Sequence, residues 1–137
     1  MKHLVASIIL VMVVMSAQAQ NIKSDIIGKW EVTKREFFNA KGKPDPERPS
    51  ETAKESGYKT TYTFKKNGIC EYRDLGEFDA DIRDLSYMVD GKTIILTDKE
   101  TYDIIWQFNV VFSESKKTIF LIESDENGKE RKTLVRK

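Results

Sequence analysis

Tyr102-Asp-Ile-Ile-Trp-Gln-Phe-Asn-Val-Val-Phe112 is the stretch that decides the fold class. Its apolar residues recur at every second position, which is the period of an extended strand with one buried face. The inner face would consist of Tyr102, Ile104, Trp106, Phe108, Val110 and Phe112. Residues 58–65 repeat the pattern, because Tyr62 and Phe64 share one face while threonines and lysines share the other. Both segments therefore predict half-buried strands.

Tight turns divide the rest of the chain into further strands. Asn67-Gly68 and Asp90-Gly91 each stand between apolar segments and supply the positive φ angles that short hairpins need. Helix signals are confined to one turn at 24–27 and to residues 50–56. The sequence therefore predicts an all-β domain that forms an eight-stranded antiparallel up-and-down barrel, with strands at 29–38, 58–66, 68–74, 85–90, 92–98, 102–113, 117–123 and 129–136.

The predicted connections differ in length at the two ends of this barrel. If neighbouring strands pair in sequence, the two Gly turns and the short link 113–117 meet at one end. The other end receives residues 39–57, 75–84, 99–101 and 124–128, which include both of the longest loops. A barrel with one closed end and long loops at the other has the shape of a cup. The segment 39–57 is polar and contains three prolines, so we expect it to be exposed and mobile.

The N-terminus has the three parts of a secretory signal peptide. Lys2 and His3 precede an apolar run from Leu4 to Met15, and small residues follow up to Ala19. We expect cleavage after Ala19, so that residues 1–19 are the signal and residues 20–137 the barrel domain. The run is too short to span a bilayer, for which roughly 20 apolar residues are needed. The mature chain would then have no membrane span and would be periplasmic or secreted.

Composition limits the chemistry of the mature chain. Cleavage would remove His3, the only histidine, and Lys2, leaving 22 basic and 22 acidic side chains. Balanced charge argues against nucleic acid as a partner, since nucleic acid favours a strongly cationic face. Loss of histidine excludes Ser-His-Asp and Cys-His catalysis and the commonest metal ligand. We therefore expect no enzyme, no cofactor and no metal, with carboxylate-based hydrolysis as the minor alternative.

Two other features have a functional and a structural interpretation. The carboxylates Glu71, Asp74, Glu77, Asp79, Asp81 and Asp84 could supply oxygen ligands to calcium, but they fit a solvated loop at the barrel mouth better, since the EF-hand glycine and glutamate are missing. Cys70 is the sole cysteine and cannot form an intramolecular disulfide. It is expected to be a small buried side chain.

The beginning and the end of the domain carry a family resemblance. Gly28-Lys29-Trp30 follows a predicted helical turn, and this Gly-x-Trp resembles the opening motif of lipocalins and related calycin barrels. With residues 62–68 and 86–93, the chain is similar to short bacterial lipocalin-like domains over most of residues 24–136. The resemblance implies a barrel floor in which Gly28 precedes the closing Trp30 and Arg136 packs across it. It also implies that the loop after the first strand acts as a lid and that the barrel holds a lipophile.

The predicted inward aromatics leave two functions open. They could line a pocket, or they could fill the barrel, because an interior bounded by about eight strands holds either side chains or one small ligand. The first hypothesis is a binding protein that holds a small hydrophobic ligand with Tyr62, Tyr87, Trp106 and Phe108, entered between residues 39–57 and 75–84. The second is a protein-interaction or inhibitor module of the cell envelope, with a filled barrel that presents its rim loops to a protein partner.

Overall fold

A closed antiparallel sheet of eight long strands forms the barrel. The computed structural model describes residues 22–137, so the predicted signal peptide lies outside the described residues. The strands follow one another around the barrel in chain order, and β1 also pairs with β9, which closes the sheet. The predicted all-β, up-and-down architecture is therefore confirmed. The strands are β1 (Gly28–Asn39), the two-residue edge strand β2 (Glu51–Thr52), β3 (Lys59–Phe64), β4 (Ile69–Leu75), β5 (Ala80–Asp90), β6 (Thr93–Asp98), β7 (Ile104–Phe112), β8 (Thr118–Asp125) and β9 (Gly128–Arg136).

Two short helical segments accompany the barrel. The first, α1, covers residues 22–25, slightly before the predicted turn at 24–27. The second, α2 (Ala53–Ser56), begins after Thr52, whose hydroxyl accepts a hydrogen bond from the Glu55 amide at 3.2 Å. It ends at Gly57, which has a φ of 72°. The predicted helix before Gly57 is thus present but covers only one turn. Within residues 22–137 no helix is long and apolar enough to cross a membrane.

The loops are distributed between the two ends as the strand order predicts, with one correction. The predicted loop 75–84 is wrong, because β5 begins at Ala80 and only residues 76–79 connect it to β4. Residues of this region alternate between charged and apolar, which resembles a solvated loop in sequence. In the fold they continue the hairpin ladder, in which Asp74 pairs with Asp81 and Arg73 with Ile82. The Arg73 guanidinium also bonds the Asp84 carboxylate across the hairpin at 3.1 Å.

The long segment after β1 is exposed, as its composition predicts, but it is also attached to the barrel. Pro44 forms a bridge with Phe38, and the Asp45 amide donates a hydrogen bond to the Phe37 carbonyl at 3.0 Å. The Arg48 guanidinium lies 4.0 Å from the centroid of the Phe37 ring. Strand β2 then pairs with the middle of β1. This segment therefore continues the barrel wall along β1, past the part of β1 that pairs with β3.

Apolar side chains fill the floor and the middle of the barrel. The largest fully buried residues are Trp30, Tyr62, Phe64 and Phe108. Aliphatic side chains from most of the strands pack between them, among them Ile94 and Leu96 of β6, Ile119 and Leu121 of β8 and Leu134 of β9. Within residues 22–137, these side chains occupy the part of the interior in which a long apolar ligand would lie.

Two bulges change which residues face inward near the mouth. The register of β1 against β9 shifts between Val32 and Lys34. The side chains that face inward are therefore Trp30 and Val32 before the shift, and Arg35 and Phe37 after it. A second shift lies between β6 and β7, where Leu96 pairs with Trp106 and Thr97 with Ile104. As a result the prediction that Tyr102 and Ile104 face inward is wrong. Tyr102 lies in the preceding turn with a φ of 61°, and both side chains are exposed.

Candidate functional site

The closed end of the barrel is built around Trp30. Helix α1 lies across this end, with Ile26 buried just after it, and the Trp30 indole nitrogen donates a hydrogen bond to the Ile26 carbonyl at 2.8 Å. The Arg136 guanidinium lies 4.2 Å from the centroid of the Trp30 ring. It also donates hydrogen bonds to the carbonyls of Ile27 at 2.8 Å and Asp25 at 2.5 Å. Arg136 therefore joins the last strand to the segment that precedes the first.

Gly28 is required at this floor for a steric reason. Its φ is +133°, a conformation that residues with a side chain rarely adopt. A Cβ atom at this position would also lie 2.8 Å from a guanidinium nitrogen of Arg136. The glycine of the Gly-x-Trp motif thus leaves room for the arginine that covers the tryptophan.

The open end of the barrel contains a cavity of about 190 Å³, which we call the mouth chamber. Its lining residues come from six of the strands: Val32, Arg35, Thr60, Tyr72, Asp74, Trp106, Glu123, Glu130 and Lys132. Five of these nine carry a charge, in contrast to the apolar layers beneath them. A larger hollow of about 540 Å³ lies beside Tyr87 and Lys66, but it is outside the barrel. The mouth chamber is therefore the candidate site.

One wall of the mouth chamber holds a network of charges centred on Glu130. Arg35 bonds the Glu130 carboxylate at 2.7 Å and reaches Glu51 at 3.4 Å. Burial works to lower the pKa of Arg35, but its hydrogen bond with Glu130 raises it, and the net direction is upward. Lys132 lies beside this pair, with its ammonium 4.9 Å from the Phe108 ring centroid. Burial lowers the pKa of Lys132, and the charge of Glu130 opposes this only in part.

The opposite wall is aromatic and carries a carboxylate. The rings of Tyr72 and Trp106 have centroids 4.8 Å apart and are tilted by 57°. Asp74 accepts a hydrogen bond from the Thr60 hydroxyl at 2.9 Å. Burial raises the pKa of Tyr72 to about 12, and the nearby charge of Asp74 adds to the effect. At the rim, the Arg83 guanidinium lies 5.5 Å from the Trp106 ring centroid.

The structure brings three of the four predicted ligand-binding residues together. Trp106 lines the mouth chamber, and Tyr62 and Phe108 lie directly beneath it, each with a ring centroid 6.4 Å from that of Trp106. Both of these lower residues are fully buried in the core. Tyr87 lies at the other end of the barrel, where its ring packs on Phe64 and its hydroxyl donates to the Lys65 carbonyl at 2.5 Å.

Sequence reasoning missed most of the residues that line the mouth chamber. Arg35 follows the bulge, and the charged residues of β9 alternate with other polar residues, so neither indicated an inward face. The sequence of β1 does not settle the face either, because Phe37 and Phe38 are adjacent and one of them fits each phase. The bulge that turns Arg35 inward is seen only in the register of β1 against β9.

The acidic residues and the cysteine have mainly structural surroundings. Glu71 contacts Lys65 and Arg73, and Asp81 is hydrogen-bonded to Arg83 at 2.9 Å. Over the described residues no group of three or more potential protein ligands is arranged to hold a metal ion. Cys70 is fully buried, as predicted, and burial raises the pKa of its thiol to about 12. At neutral pH this thiol is therefore protonated and shielded.

The mouth chamber thus offers fixed charges, aromatic surface and several hydrogen-bonding groups in a space that solvent can reach. Such a combination can bind and orient a small solute. Since the described part of the chain has no histidine, its titratable groups there are carboxylates, one lysine, one arginine and one tyrosine. Compared with known proteins, the chain matches neither a family model nor a curated protein.

Proposed function

We propose that this protein is an exported, lipocalin-like binding protein that holds a small polar molecule in the mouth chamber. The observation that carries the proposal is the charged lining of this cavity at the open end of an otherwise filled barrel. An eight-stranded barrel of this kind is consistent with a binding protein. Export rests on the signal-like N-terminus, and a binding role without catalysis rests on the residue types present.

The size and the walls of the chamber favour a polar ligand over the lipophile expected from the family resemblance. A volume of 190 Å³ corresponds to about six water molecules, at roughly 30 Å³ each. A lipophile would have to displace core side chains such as Tyr62 and Phe108, which are fully buried. It would also remove hydration from Arg35 and Lys132 without offering them a partner, which is unfavourable.

The proposal can be tested by amide chemical-shift mapping of the mature protein. A panel of small polar solutes and a panel of fatty acids would each be titrated into the isotopically labelled protein. We expect saturable shifts from a polar solute at residues around the chamber, lost in Trp106→Ala and kept in Tyr87→Phe, which alters the opposite end of the barrel. Saturation by fatty acids alone would overturn the polar ligand, and the absence of any saturable shift would overturn the binding function.

The second candidate function is a protein-interaction or inhibitor module of the cell envelope. Exposed apolar side chains support it, because four of them lie as two pairs on two mouth loops, between β4 and β5 and between β6 and β7, and on the strand ends beside them. Phe78 is 90% exposed, Tyr102 is 77% exposed, and Ile82 and Ile104 are 61% exposed. Apolar side chains grouped in this way are a feature of protein contact sites.

A rim variant separates this candidate from the first. Phe78→Ser combined with Ile82→Ser is expected to abolish cross-linking to an envelope protein and to leave solute binding in the chamber unchanged. Met88→Ser is the matched control, since Met88 is 58% exposed but lies near the closed end of β5. Equal loss of cross-linking in the control would argue against a rim interface.

A further inference from the structure

Lys132 is a mostly buried cation that has no ion-pair partner at hydrogen-bond distance among the described residues. Its side chain is 11% exposed and lines the chamber. The nearest carboxylate oxygen, on Glu130, is 3.9 Å from the ammonium nitrogen, which is beyond hydrogen-bond distance. That same oxygen is already bonded to Arg35 at 2.7 Å. An ammonium removed from water in this way is stabilised when a solute supplies an anionic oxygen.

Asp74 presents the complementary case on another wall. Within the part of the chain that the structure describes, its only hydrogen bond from a side chain is the one donated by Thr60 at 2.9 Å. Among residues 22–137, no lysine or arginine nitrogen lies within 4 Å of Asp74 or of Glu123, the other chamber carboxylate. A carboxylate at a partly dehydrated site attracts a cationic group. The ring of Tyr72 beside it favours a cation as well, through its negative face, whereas the Trp106 ring already has the Arg83 guanidinium 5.5 Å from its centroid.

The two charged ends of the site come from different parts of the barrel wall. Lys132 belongs to β9 and Asp74 to β4, and β1 and β3 lie between these strands in the sheet. Arg35 and Glu130 neutralise each other, and Arg83 at the rim is paired with Asp81 at 2.9 Å. The chamber lining therefore retains one positive group, Lys132, and two negative ones, Asp74 and Glu123. A purely anionic solute would face two carboxylates, and a purely cationic solute would leave Lys132 without a partner. A solute that carries both charges can pair with Lys132 on one wall and with Asp74 on the other.

We propose that the mouth chamber binds a small zwitterion, with its carboxylate on Lys132 and its ammonium group on Asp74 beside Tyr72. This inference rests on the proposed function and names the class of its ligand. A volume of about six water molecules admits on the order of six to nine non-hydrogen atoms. Linear and branched amino acids without large side chains have this size and carry both charges.

The test compares one zwitterion with analogues that each lack one charge. The probes are 4-aminobutanoate and two analogues of the same size, 4-aminobutanamide, which keeps only the ammonium, and 4-hydroxybutanoate, which keeps only the carboxylate. We expect 4-aminobutanoate, or a shorter or longer ω-amino acid from glycine to 6-aminohexanoate, to bind the unaltered protein at least tenfold more tightly than either of its analogues. Because this comparison needs no substitution, it does not depend on whether a variant folds.

Two variants then assign the ends of the ligand. Lys132→Met is expected to abolish the preference over 4-aminobutanamide, and Asp74→Asn the preference over 4-hydroxybutanoate. Lys129→Met is the matched control, since Lys129 is an exposed lysine of the same strand and should leave both preferences intact. Chemical-shift dispersion reports whether each variant is folded.

The outcomes distinguish failure of the zwitterion as the ligand from failure of the proposed binding function. Equal affinity for the zwitterion and one of its analogues, or tight binding in the chamber by uncharged solutes alone, would overturn the zwitterion and keep the binding function. If no amino acid, analogue or other polar solute shifts the resonances around the chamber, both fail. Discrimination that survives in Lys132→Met and Asp74→Asn would place the ligand elsewhere and overturn the inference.

Discussion

Replacement of Arg136 by alanine tests how the barrel floor is held together. The guanidinium donates two hydrogen bonds to carbonyls before β1 and covers the Trp30 ring at 4.2 Å. Hydrogen bonds from a charged donor at this partly solvated site contribute about 1 kcal/mol each, and the cation–π contact about 0.5–1 kcal/mol. Arg136→Ala should therefore lower the free energy of unfolding by about 2–3 kcal/mol. For a domain of this size the melting temperature should fall by about 6–15 °C.

A second arginine of β9 gives the matched control. Arg131 bonds the Glu36 carboxylate at 3.0 Å on the outer surface, where an exposed ion pair contributes about 0–1 kcal/mol. Its guanidinium also lies 5.3 Å from the Phe38 ring centroid, a contact that adds about 0.5–1 kcal/mol. Urea unfolding followed by tryptophan fluorescence and circular dichroism would give both free energies. Arg136→Lys keeps the charge but loses the planar pair of donors, so an intermediate loss is expected. If Arg136→Ala costs no more than Arg131→Ala, the arginine does not hold the floor, and the role that the sequence resemblance implies for it is refuted.

Three further predictions concern the floor, the core and the N-terminus. Gly28→Ala should destabilise the fold by about 1–3 kcal/mol, because of its positive φ and the contact with Arg136, whereas Gly76→Ala should change it by less than about 0.5 kcal/mol in the same urea assay. Burial raises the pKa of Cys70 to about 12, so its contribution to stability is fully present below pH about 8.5 and is lost as the pH rises toward 12, by about 1.4 kcal/mol per pH unit. Urea unfolding between pH 8 and 11 should show this slope, and a slope that is unchanged in Cys70→Ala would contradict it. Export in a bacterial host should yield a chain that begins at Gln20, as measured by intact mass, and a chain that retains residues 1–19 would contradict the cleavage.

Much of the fold could be predicted because local signals agree with the global arrangement. The alternation from Trp106 to Phe112 fixes the inner face of β7, and Asn67-Gly68 and Asp90-Gly91 fix two hairpins. Once eight strands are counted, the closure of β1 on β9 places Arg136 opposite Trp30. The start of β5 could not be found in this way, because its strand is specified by pairing with β4 and not by an apolar face.

The candidate site was harder to predict than the fold for a physical reason. A charged residue in a strand normally faces water, so the pattern around Lys132 and Glu130 predicts that these side chains lie on the outer face of the barrel. Their inward direction follows from the register of β9 against β1, which is a property of distant strands. Trp106 was identified from sequence because an aromatic residue on an apolar face is predicted to lie inside in any register. The sequence therefore indicated the apolar side of the chamber and missed its charged side.

The charged layer at the mouth is not needed to complete the barrel. Beneath it, Ile94, Leu96 and Leu134 show that this chain fills an interior layer with aliphatic side chains. Replacement of buried ionic groups by apolar residues of similar volume is often neutral or stabilises a protein by about 1–4 kcal/mol. The charges of Lys132 and Asp74 therefore reduce the stability that an apolar layer would give at the same place. Because the chamber lies where solutes can enter, these residues add charged groups that an apolar layer would lack, and the proposed binding of a charged solute rests on them.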